Sequence, residues 1–275
     1  MIFRARSRDA AESGLSFVEI PADFLGSIAT DSERIPQLYF CGNTLSSRIF
    51  WMRLRFIHDM LIRHVPLRRS VLDFGGGGGV FLPSLARLFE RVTSIDLETG
   101  EARQVVEHYG LTNVELVRSD IATAELPQAP FDAIVAADVL EHFRDLAVPA
   151  AALRRWLADH GTLFTSLPSE SGLYERLRRL YGVVRPPDHY HTGFEVEAFL
   201  EQHGLRRVAR RFVPLVVRLA PLYLVSAWRK DAPRAHPAGR PSPEATASHG
   251  RLPPSAKRSG ISRERASATT SPTAR

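Results

Sequence analysis

Five consecutive glycines at residues 75–79 constrain the fold of this chain more than any other feature of its sequence. An apolar segment, VLDF, leads directly into them, and a helix-forming segment that begins at Leu82 follows. A backbone without side chains can pass very close to a ligand, and a helix start favours anionic groups. The pattern therefore predicts a strand, a glycine turn and a helix around a nucleotide-like ligand, rather than a flexible linker.

Short apolar segments alternate with helical segments through the middle of the chain. The predicted strands are at residues 70–74, 92–96, 114–117, 131–136 and 162–167. The predicted helices are at residues 82–90, 98–110 and 146–159, with Gly110 and Gly161 ending the last two. This alternation predicts an α/β fold with a doubly wound, mostly parallel sheet. Two further apolar segments, 208–217 and 222–228, predict an antiparallel C-terminal hairpin at the sheet edge.

Composition divides the chain into four regions. Residues 1–43 are an N-terminal extension, 44–69 contain a predicted lid helix, 70–230 are the ligand-binding domain, and 231–275 are a basic tail rich in Pro, Ser and Ala. The tail has almost no large apolar residues, so we predict that it is disordered. It carries +5 of the net charge of +6, so the total charge does not predict a nucleic-acid groove on the domain.

The sequence also predicts a cytoplasmic location. Cys41 is the only cysteine, which excludes an intrachain disulfide. The first residues lack the apolar run of a signal peptide. The most apolar stretch, residues 213–228, is interrupted by Pro214, Arg218 and Pro221 and is shorter than the ~20 apolar residues that a spanning helix needs. We therefore expect no transmembrane segment.

The spacing of the glycines argues against two common nucleotide sites. A dinucleotide fingerprint that starts at Gly75 or Gly76 would end on Val80 or Phe81 instead of the required Gly or Ala. A P-loop is excluded because no Gly-Lys-Ser/Thr follows the glycines. A nicotinamide-dependent oxidoreductase is therefore disfavoured.

The pattern Asp73-x-Gly75-x-Gly77-x-Gly79 closely resembles the class I S-adenosylmethionine-dependent methyltransferases, in particular the type 11/12/23-like family. The resemblance continues with an acid that ends the second predicted strand, an Asp-Ile pair after the third, and the segment FDAIVAADVLEHF at residues 131–143. It implies a Rossmann-like methyltransferase fold with S-adenosylmethionine as cofactor. The cofactor-binding residues that it implies are Asp73, Gly75, Gly77, Gly79, Asp96, Asp120, Ile121 and Asp138.

The resemblance also implies what these residues do. The carboxylate of Asp96 would accept both ribose hydroxyls, and Asp120 and Ile121 would contact the adenine amino group and ring. The segment around Asp138 would line the methionine end of the cofactor.

Methyl transfer needs in-line positioning of the acceptor, with a base only where the acceptor must lose a proton. The candidate bases are His142, beside the methionine end, and His189 and His191 in the insertion after the fifth strand. The acids and histidine of the segment 138–142 could also supply some of the ligands of a divalent metal site, as in some family members. Ligands for a closed site are not identifiable in the sequence, so we predict no metal.

Two basic amphipathic segments, 46–65 and 173–181, bear on the acceptor. They resemble bacterial methyltransferases that act on lipid-linked or isoprenoid-type substrates, in which such helices form a lid or touch a membrane surface. A lid helix packed on the domain with solvated arginines is the alternative. We predict methyl transfer to an oxygen of a small-molecule or lipid-linked acceptor, with peripheral membrane contact as a further expectation. The alternative function is a non-catalytic cofactor-binding regulatory module.

Overall fold

A computed structural model describes residues 15–30, 34–40, 44–170, 172, 176, 188–214 and 221–231. The strands are β1 (Ser70–Phe74), β2 (Arg91–Asp96), β3 (Val114–Arg118), β4 (Phe131–Ala137), β5 (Leu157–Pro168), β6 (Leu205–Val213) and β7 (Tyr223–Lys230). The helices are α1 (Ala22–Ile28), α2 (Thr44–His64), α3 (Leu82–Leu88), α4 (Gly100–Tyr109), α5 (Ala147–Trp156) and α6 (Gly193–Gln202). Short 3-10 turns span Gln37–Tyr39 and Leu140–His142.

The strands form one seven-stranded sheet in the order β3-β2-β1-β4-β5-β7-β6. The pairings from β3 to β5 are parallel, whereas β7 pairs antiparallel with both β5 and β6. The predicted doubly wound sheet and its antiparallel C-terminal hairpin are thus confirmed. The carboxyl ends of β1 to β5 share one edge of the sheet, where ligands bind in folds of this kind.

Helices cover both faces of the sheet. On one face Trp51, Leu54 and Ile57 of α2 are buried in a cluster with Val135 of β4 and Phe164 of β5. On the other face α5 and α6 pack on side chains that alternate with the first set along the strands, such as Leu72 and Ile134. The helix predicted as a lid therefore places its apolar stripe in the core of the domain.

The boundary between α5 and β5 differs from the prediction. The helix ends at Trp156, and β5 begins at Leu157, which pairs with Phe131 before the register shifts. Gly161 does not end the helix but lies inside the strand, where a Cβ would meet the Phe131 carbonyl oxygen at 2.9 Å. A glycine is required here because the backbones of β4 and β5 approach closely where their pairing is irregular. In the sequence, such a glycine after a helical segment looks like one that ends a helix.

Some predicted segments lie outside the described residues. These are the tail from residue 232, residues 215–217 of the predicted hairpin, and the second basic segment, 173–181, apart from Arg176. Within the described ranges, no helix is both long and apolar enough to cross a bilayer.

Candidate active site

The loop after β1 is shaped by its three alternate glycines. Gly75, Gly77 and Gly79 have φ angles of +69°, +52° and +75°, which residues with a Cβ rarely adopt. The Gly75 amide donates to the Ile95 carbonyl at 2.9 Å, and the Gly77 amide donates to Asp96 Oδ2 at 2.8 Å. The loop therefore turns over the end of β2 and brings the predicted glycines next to Asp96.

An N-terminal segment that the sequence did not connect with the site lies against this loop. The Gly78 amide donates to the Arg34 carbonyl oxygen at 3.0 Å. A Cβ on Gly77 would lie 3.0 Å from the same oxygen, and one on Gly78 would overlap the side chain of Ile35. The space beside these glycines is thus too narrow for larger residues, as expected of a loop that admits close approach of backbone or ligand.

Two carboxylates lie at the carboxyl ends of the neighbouring strands β1 and β2, Asp73 as the penultimate residue and Asp96 as the last. Asp73 is buried, with 5% exposure, and Ser94 Oγ donates to its Oδ2 at 3.5 Å. Burial raises the pKa of Asp73 to about 7, and the charge of Asp96 adds to the rise. Asp96 is more exposed and also accepts the Glu98 amide on Oδ1 at 3.4 Å. Asp96 therefore lies at the loop as expected, while its contact with a ribose stays a prediction.

Asp120 and Ile121 follow β3 at the same edge of the sheet. Asp120 Oδ1 accepts the Ala122 amide at 2.8 Å and so closes a local turn. Ile121 is 8% exposed and joins the apolar cluster under α5 and α6. Both residues thus have local structural roles, and their predicted contacts with adenine stay predictions.

Asp138 directly follows β4 and has an unusual backbone conformation for a residue with a side chain, with φ of +54°. Its amide donates to the Ser166 carbonyl at 2.8 Å, and its Oδ1 accepts Ser166 Oγ at 3.1 Å. Its Oδ2 forms an ion pair with Arg53 of α2. The predicted methionine end of the site therefore carries charges of both signs.

Arg53 is a site residue that the sequence reasoning missed. Its guanidinium lies 3.6 Å from the centroid of the Phe50 ring, and its Nη2 donates to Tyr39 Oη at 2.9 Å. Only 3% of its side chain is exposed, so Asp138 is the counter-ion that such a buried charge requires. The sequence could have revealed Arg53 through its spacing. It lies on the same face of α2 as the buried residues Phe50 and Ile57.

Two of the three predicted histidines come together, His142 from the turn after β4 and His189 from the segment before α6. His142 Nδ1 lies 2.6 Å from Asp188 Oδ2, and His189 Nδ1 lies 2.7 Å from Glu170 Oε1. The two imidazole rings meet edge to face with centroids 4.7 Å apart. Burial lowers the pKa of His189, although its bond to Glu170 opposes the shift. The third histidine, His191, instead places Nε2 3.2 Å from the Arg144 carbonyl oxygen.

Glu141 is fully buried under the histidines. Among the described residues, neither oxygen of its carboxylate has a hydrogen-bond partner from another residue. Burial raises the pKa of this carboxyl group to about 8. The Glu141 carbonyl accepts the Tyr190 amide at 2.9 Å, which holds the segment of His189 against the turn after β4.

The donor set at the sheet edge fits a nucleoside-linked amino acid. The glycine loop offers close backbone approach, the Asp96 carboxylate can accept hydroxyl groups, and Asp138 and Arg53 match an α-amino and an α-carboxylate group. His142 lies four residues along the chain from Asp138, and with His189 against its ring it can face a second reactant.

Comparisons with known proteins identify the family of the chain. The methyltransferase-domain family matches residues 50–210 of the chain. An uncharacterized methyltransferase of Mycobacterium tuberculosis is 35% identical over 100 residues, which cover 36% of this chain and 51% of that protein. A ubiquinone biosynthesis O-methyltransferase of Xylella fastidiosa is 38% identical over 114 residues, which cover 39% of this chain and 46% of that protein. The chain thus spans about half the length of these sequence relatives.

The fold is shared with solved methyltransferases. The 1,6-didemethyltoxoflavin-N1-methyltransferase of Burkholderia thailandensis, with bound 1,6-didemethyltoxoflavin and S-adenosylhomocysteine, superposes with a TM-score of 0.53. Its identity is 20%, and the match covers 79% of this chain and 95% of that one. With the family match over more than half of its length, the chain belongs to the methyltransferase-domain family, as a class I S-adenosylmethionine-dependent methyltransferase.

Proposed function

We propose that this protein transfers the methyl group of S-adenosylmethionine to an oxygen of a small-molecule acceptor. The carrying observation is that Asp138, in its ion pair with Arg53, and His142 lie on one short segment after β4, and that the ring of His189 contacts the ring of His142 from the segment before α6. This arrangement places a cofactor-binding group and candidate acceptor-side groups beside each other, as a transfer between two bound reactants requires.

On the cofactor side, each residue has a separate task. The loop of Gly75, Gly77 and Gly79 admits the cofactor at the strand ends, and Asp96 binds the ribose hydroxyls. Asp138 binds the methionine amino group and Arg53 the methionine carboxylate, which would replace part of their mutual ion pair. Asp120 and Ile121 bind the adenine.

On the acceptor side, His142 and His189 position the acceptor hydroxyl. S-adenosylmethionine supplies a methyl group that is already activated by its sulfonium. The acceptor oxygen bonds to the methyl carbon and its proton passes to one of the two imidazoles, while the carbon–sulfur electron pair stays on sulfur. An oxygen acceptor must lose its hydroxyl proton, and an imidazole that is hydrogen-bonded to a carboxylate can accept a proton.

The relatives differ in the atom that they methylate. The similar Xylella protein is named an O-methyltransferase of ubiquinone biosynthesis, whereas the similar Burkholderia structure is of an N1-methyltransferase. The packing of α2 favours a small acceptor over contact with a membrane, because its apolar stripe is buried in the core. A lipid-like acceptor would have to enter beside the histidine pair.

The proposed location of the protein is the cytoplasm, because the chain has a single cysteine.

The cofactor half of the proposal is tested by titration calorimetry with S-adenosylhomocysteine. Asp96→Ala should weaken binding roughly 30-fold to 160-fold, since it removes charge-assisted hydrogen bonds worth about 2–3 kcal/mol. Asp159→Ala is the matched control, because the side chain of Asp159 is 99% exposed and pairs with Lys230. Equal affinities for the two variants would refute the role of Asp96.

The transfer half is tested by release of S-adenosylhomocysteine with phenolic and alcoholic acceptors and with cell extract. His142→Ala and His189→Ala should lower turnover by at least tenfold while cofactor affinity stays within about twofold. His191→Ala shows whether the third histidine acts with them. A wild-type protein that binds the cofactor but releases no product with any acceptor would support the non-catalytic module instead.

A further inference from the structure

The turn after β4 and the segment before α6 meet beside the histidine pair. The Tyr190 amide donates to the Glu141 carbonyl at 2.9 Å, which joins the two segments through their backbones. His191 Nε2 lies 3.2 Å from the Arg144 carbonyl oxygen and joins them a second time. We call this surface the rim, residues 141–144 and 188–191.

Arg144 is a cation of the rim without an acidic partner. It is exposed, and among the described residues its guanidinium forms no ion pair. Asp188, on the opposite segment, meets His142 Nδ1 at 2.6 Å. Asp145, the next residue along the chain, accepts the Ala147 amide at 2.9 Å. The acids beside Arg144 are thus engaged by other groups, and its donors are available to an anionic group of a ligand.

The ring of Tyr190 holds this guanidinium. Arg144 Cζ lies 4.8 Å from the centroid of the ring, and such a cation–π contact restricts where a long side chain can place its charge. Tyr190 is 40% exposed, and Phe194, in the first turn of α6, is 44% exposed. Exposed aromatic side chains can pack against the apolar body of a small molecule. The rim therefore offers a fixed charge and an apolar surface together.

The charge of Arg144 is close enough to the histidine pair for one small molecule to contact both. Arg144 lies two residues after His142, so their Cα atoms are at most about 7 Å apart. Phe143, between them, is extended, with φ of −86° and ψ of 127°, which favours the same side of the backbone for the two flanking side chains. Tyr190 directly follows His189. An acceptor with its hydroxyl at the histidines can therefore reach Arg144 with a second group.

We propose that the acceptor carries an anionic group, a carboxylate or a phosphate, and that Arg144 binds this group while the acceptor hydroxyl faces the histidine pair. Tyr190 is a positioning residue, because its ring holds the guanidinium. The planar fork of an arginine matches two oxygens of either anion. The role of this subsite in catalysis rests on the proposed function, whereas binding of an anion at Arg144 does not require methyl transfer.

Binding is measured by titration calorimetry on the full-length protein loaded with S-adenosylhomocysteine. The probes are para-hydroxyphenylacetate, its neutral amide, and phenyl phosphate. One or both anions should bind roughly tenfold or more tightly than the amide, and the difference should shrink at high salt. The anion that binds more tightly shows whether the natural group is a carboxylate or a phosphate.

Arg144→Gln should remove the preference for the anion while the affinity for S-adenosylhomocysteine, which reports folding, stays within about twofold. Arg91→Gln is the matched control, because Arg91 is exposed and begins β2 at the opposite edge of the sheet. Tyr190→Leu should weaken binding of the anion. Tyr190→Phe should keep it, since phenylalanine preserves the aromatic face under the guanidinium.

Three results would overturn the subsite: equal affinities of the wild type for the anions and the amide, no detectable binding of any probe, or a preference for the anion that survives Arg144→Gln. Release of S-adenosylhomocysteine from S-adenosylmethionine with a neutral acceptor would then leave the proposed function intact. Binding of an anion that depends on Arg144, in a protein that releases no product with any acceptor, would support the subsite and contradict the proposed function.

Discussion

One buried arginine joins the helical layer to the cofactor side of the sheet. Arg53 is almost fully enclosed, whereas Asp138 keeps 22% of its side chain exposed. The exposed side of Asp138 is where the proposed cofactor contact would be made, without unfolding of α2. The pair can therefore serve both the core and the binding site.

Arg53→Met should lower both the free energy of unfolding and the affinity for S-adenosylhomocysteine. Breaking a buried pair from one side typically costs about 3–5 kcal/mol, and the exposure of Asp138 puts this pair at or below the lower end. Arg55→Met is the control on the same helix, because its side chain is 50% exposed and its pair with Glu19 should contribute less than about 1 kcal/mol. Urea unfolding and calorimetry measure the two effects.

The double variant Arg53→Met/Asp138→Asn separates structure from binding. Asparagine also tolerates the positive φ of residue 138, so removal of the unpaired charge should restore part of the stability. Binding of S-adenosylhomocysteine should stay weak because both charged partners are gone. Wild-type affinity in Arg53→Met would show that this arginine has only a structural role.

Asp73 should make stability depend on pH. Because burial raises its pKa in the folded protein to about 7, the folded state holds a proton that the unfolded state releases above pH ~4. Stability from this group is therefore present at low pH and is lost as the pH rises from about 4 to about 7. The full loss is roughly 1–4 kcal/mol.

Unfolding curves of wild type and Asp73→Asn between pH 4 and pH 8 isolate this effect. The wild type should lose stability relative to the variant as the pH rises. The exposed Asp159→Asn provides a baseline for removal of one carboxylate. A constant difference between Asp73→Asn and wild type across this range would mean that Asp73 is ionised throughout.

At the scale of elements, burial decides how well the sequence predicts a boundary. β1 was predicted at residues 70–74 and is found there, because a central parallel strand is apolar throughout and ends at an abrupt run of glycines. β5 begins five residues earlier than predicted, because Leu157 and Ala158 continue the apolar stripe of α5 without a visible break. Only the pairing with β4 distinguishes the two elements there.

Gly161→Ala and Gly100→Ala test this account of β5. A Cβ at Gly161 would lie 2.8 Å from Leu157 Cδ1 and 2.9 Å from the Phe131 carbonyl oxygen, so the substitution should destabilise by about 1–3 kcal/mol. A Cβ at Gly100, in the first turn of α4, meets no atom within 4 Å among the described residues. Gly100→Ala should therefore be neutral or stabilise by up to about 1 kcal/mol. Urea unfolding compares both variants, and equal stabilities would contradict the close approach.

At the scale of the whole molecule, one part of the candidate site was predictable from the sequence and another part was not. The glycine loop, Asp73 and Asp96 were predictable because they lie at the ends of consecutive strands, where the fold brings them together. Arg53, Glu170 and Asp188 were not, since their roles depend on contacts between distant segments. Sequence patterns report local periodicity, whereas these partners are set by the packing of α2 and of the segment before α6.

The uneven charge of the chain leads to a last prediction, on the tail. Residues 231–275 carry +5 of the net charge of +6, so the rest of the chain is close to neutral. All but the first of these residues lie outside the described part of the chain, and their predicted disorder rests on composition. A protein shortened to residues 1–231 should therefore keep its affinity for S-adenosylhomocysteine within about twofold and its melting temperature within about 2 °C.

The shortened protein should instead differ in its electrostatic behaviour. Elution from a cation exchanger should shift to lower salt, and any binding to vesicles with anionic lipid should be lost, because most of the excess positive charge is removed. As a control, vesicle binding by the wild-type and shortened proteins is compared in about 1 M salt, because screening at that ionic strength should abolish the difference between them. A fall in melting temperature of more than about 4 °C would mean that the tail contributes roughly 1 kcal/mol or more to the folded domain, contrary to the prediction from its composition.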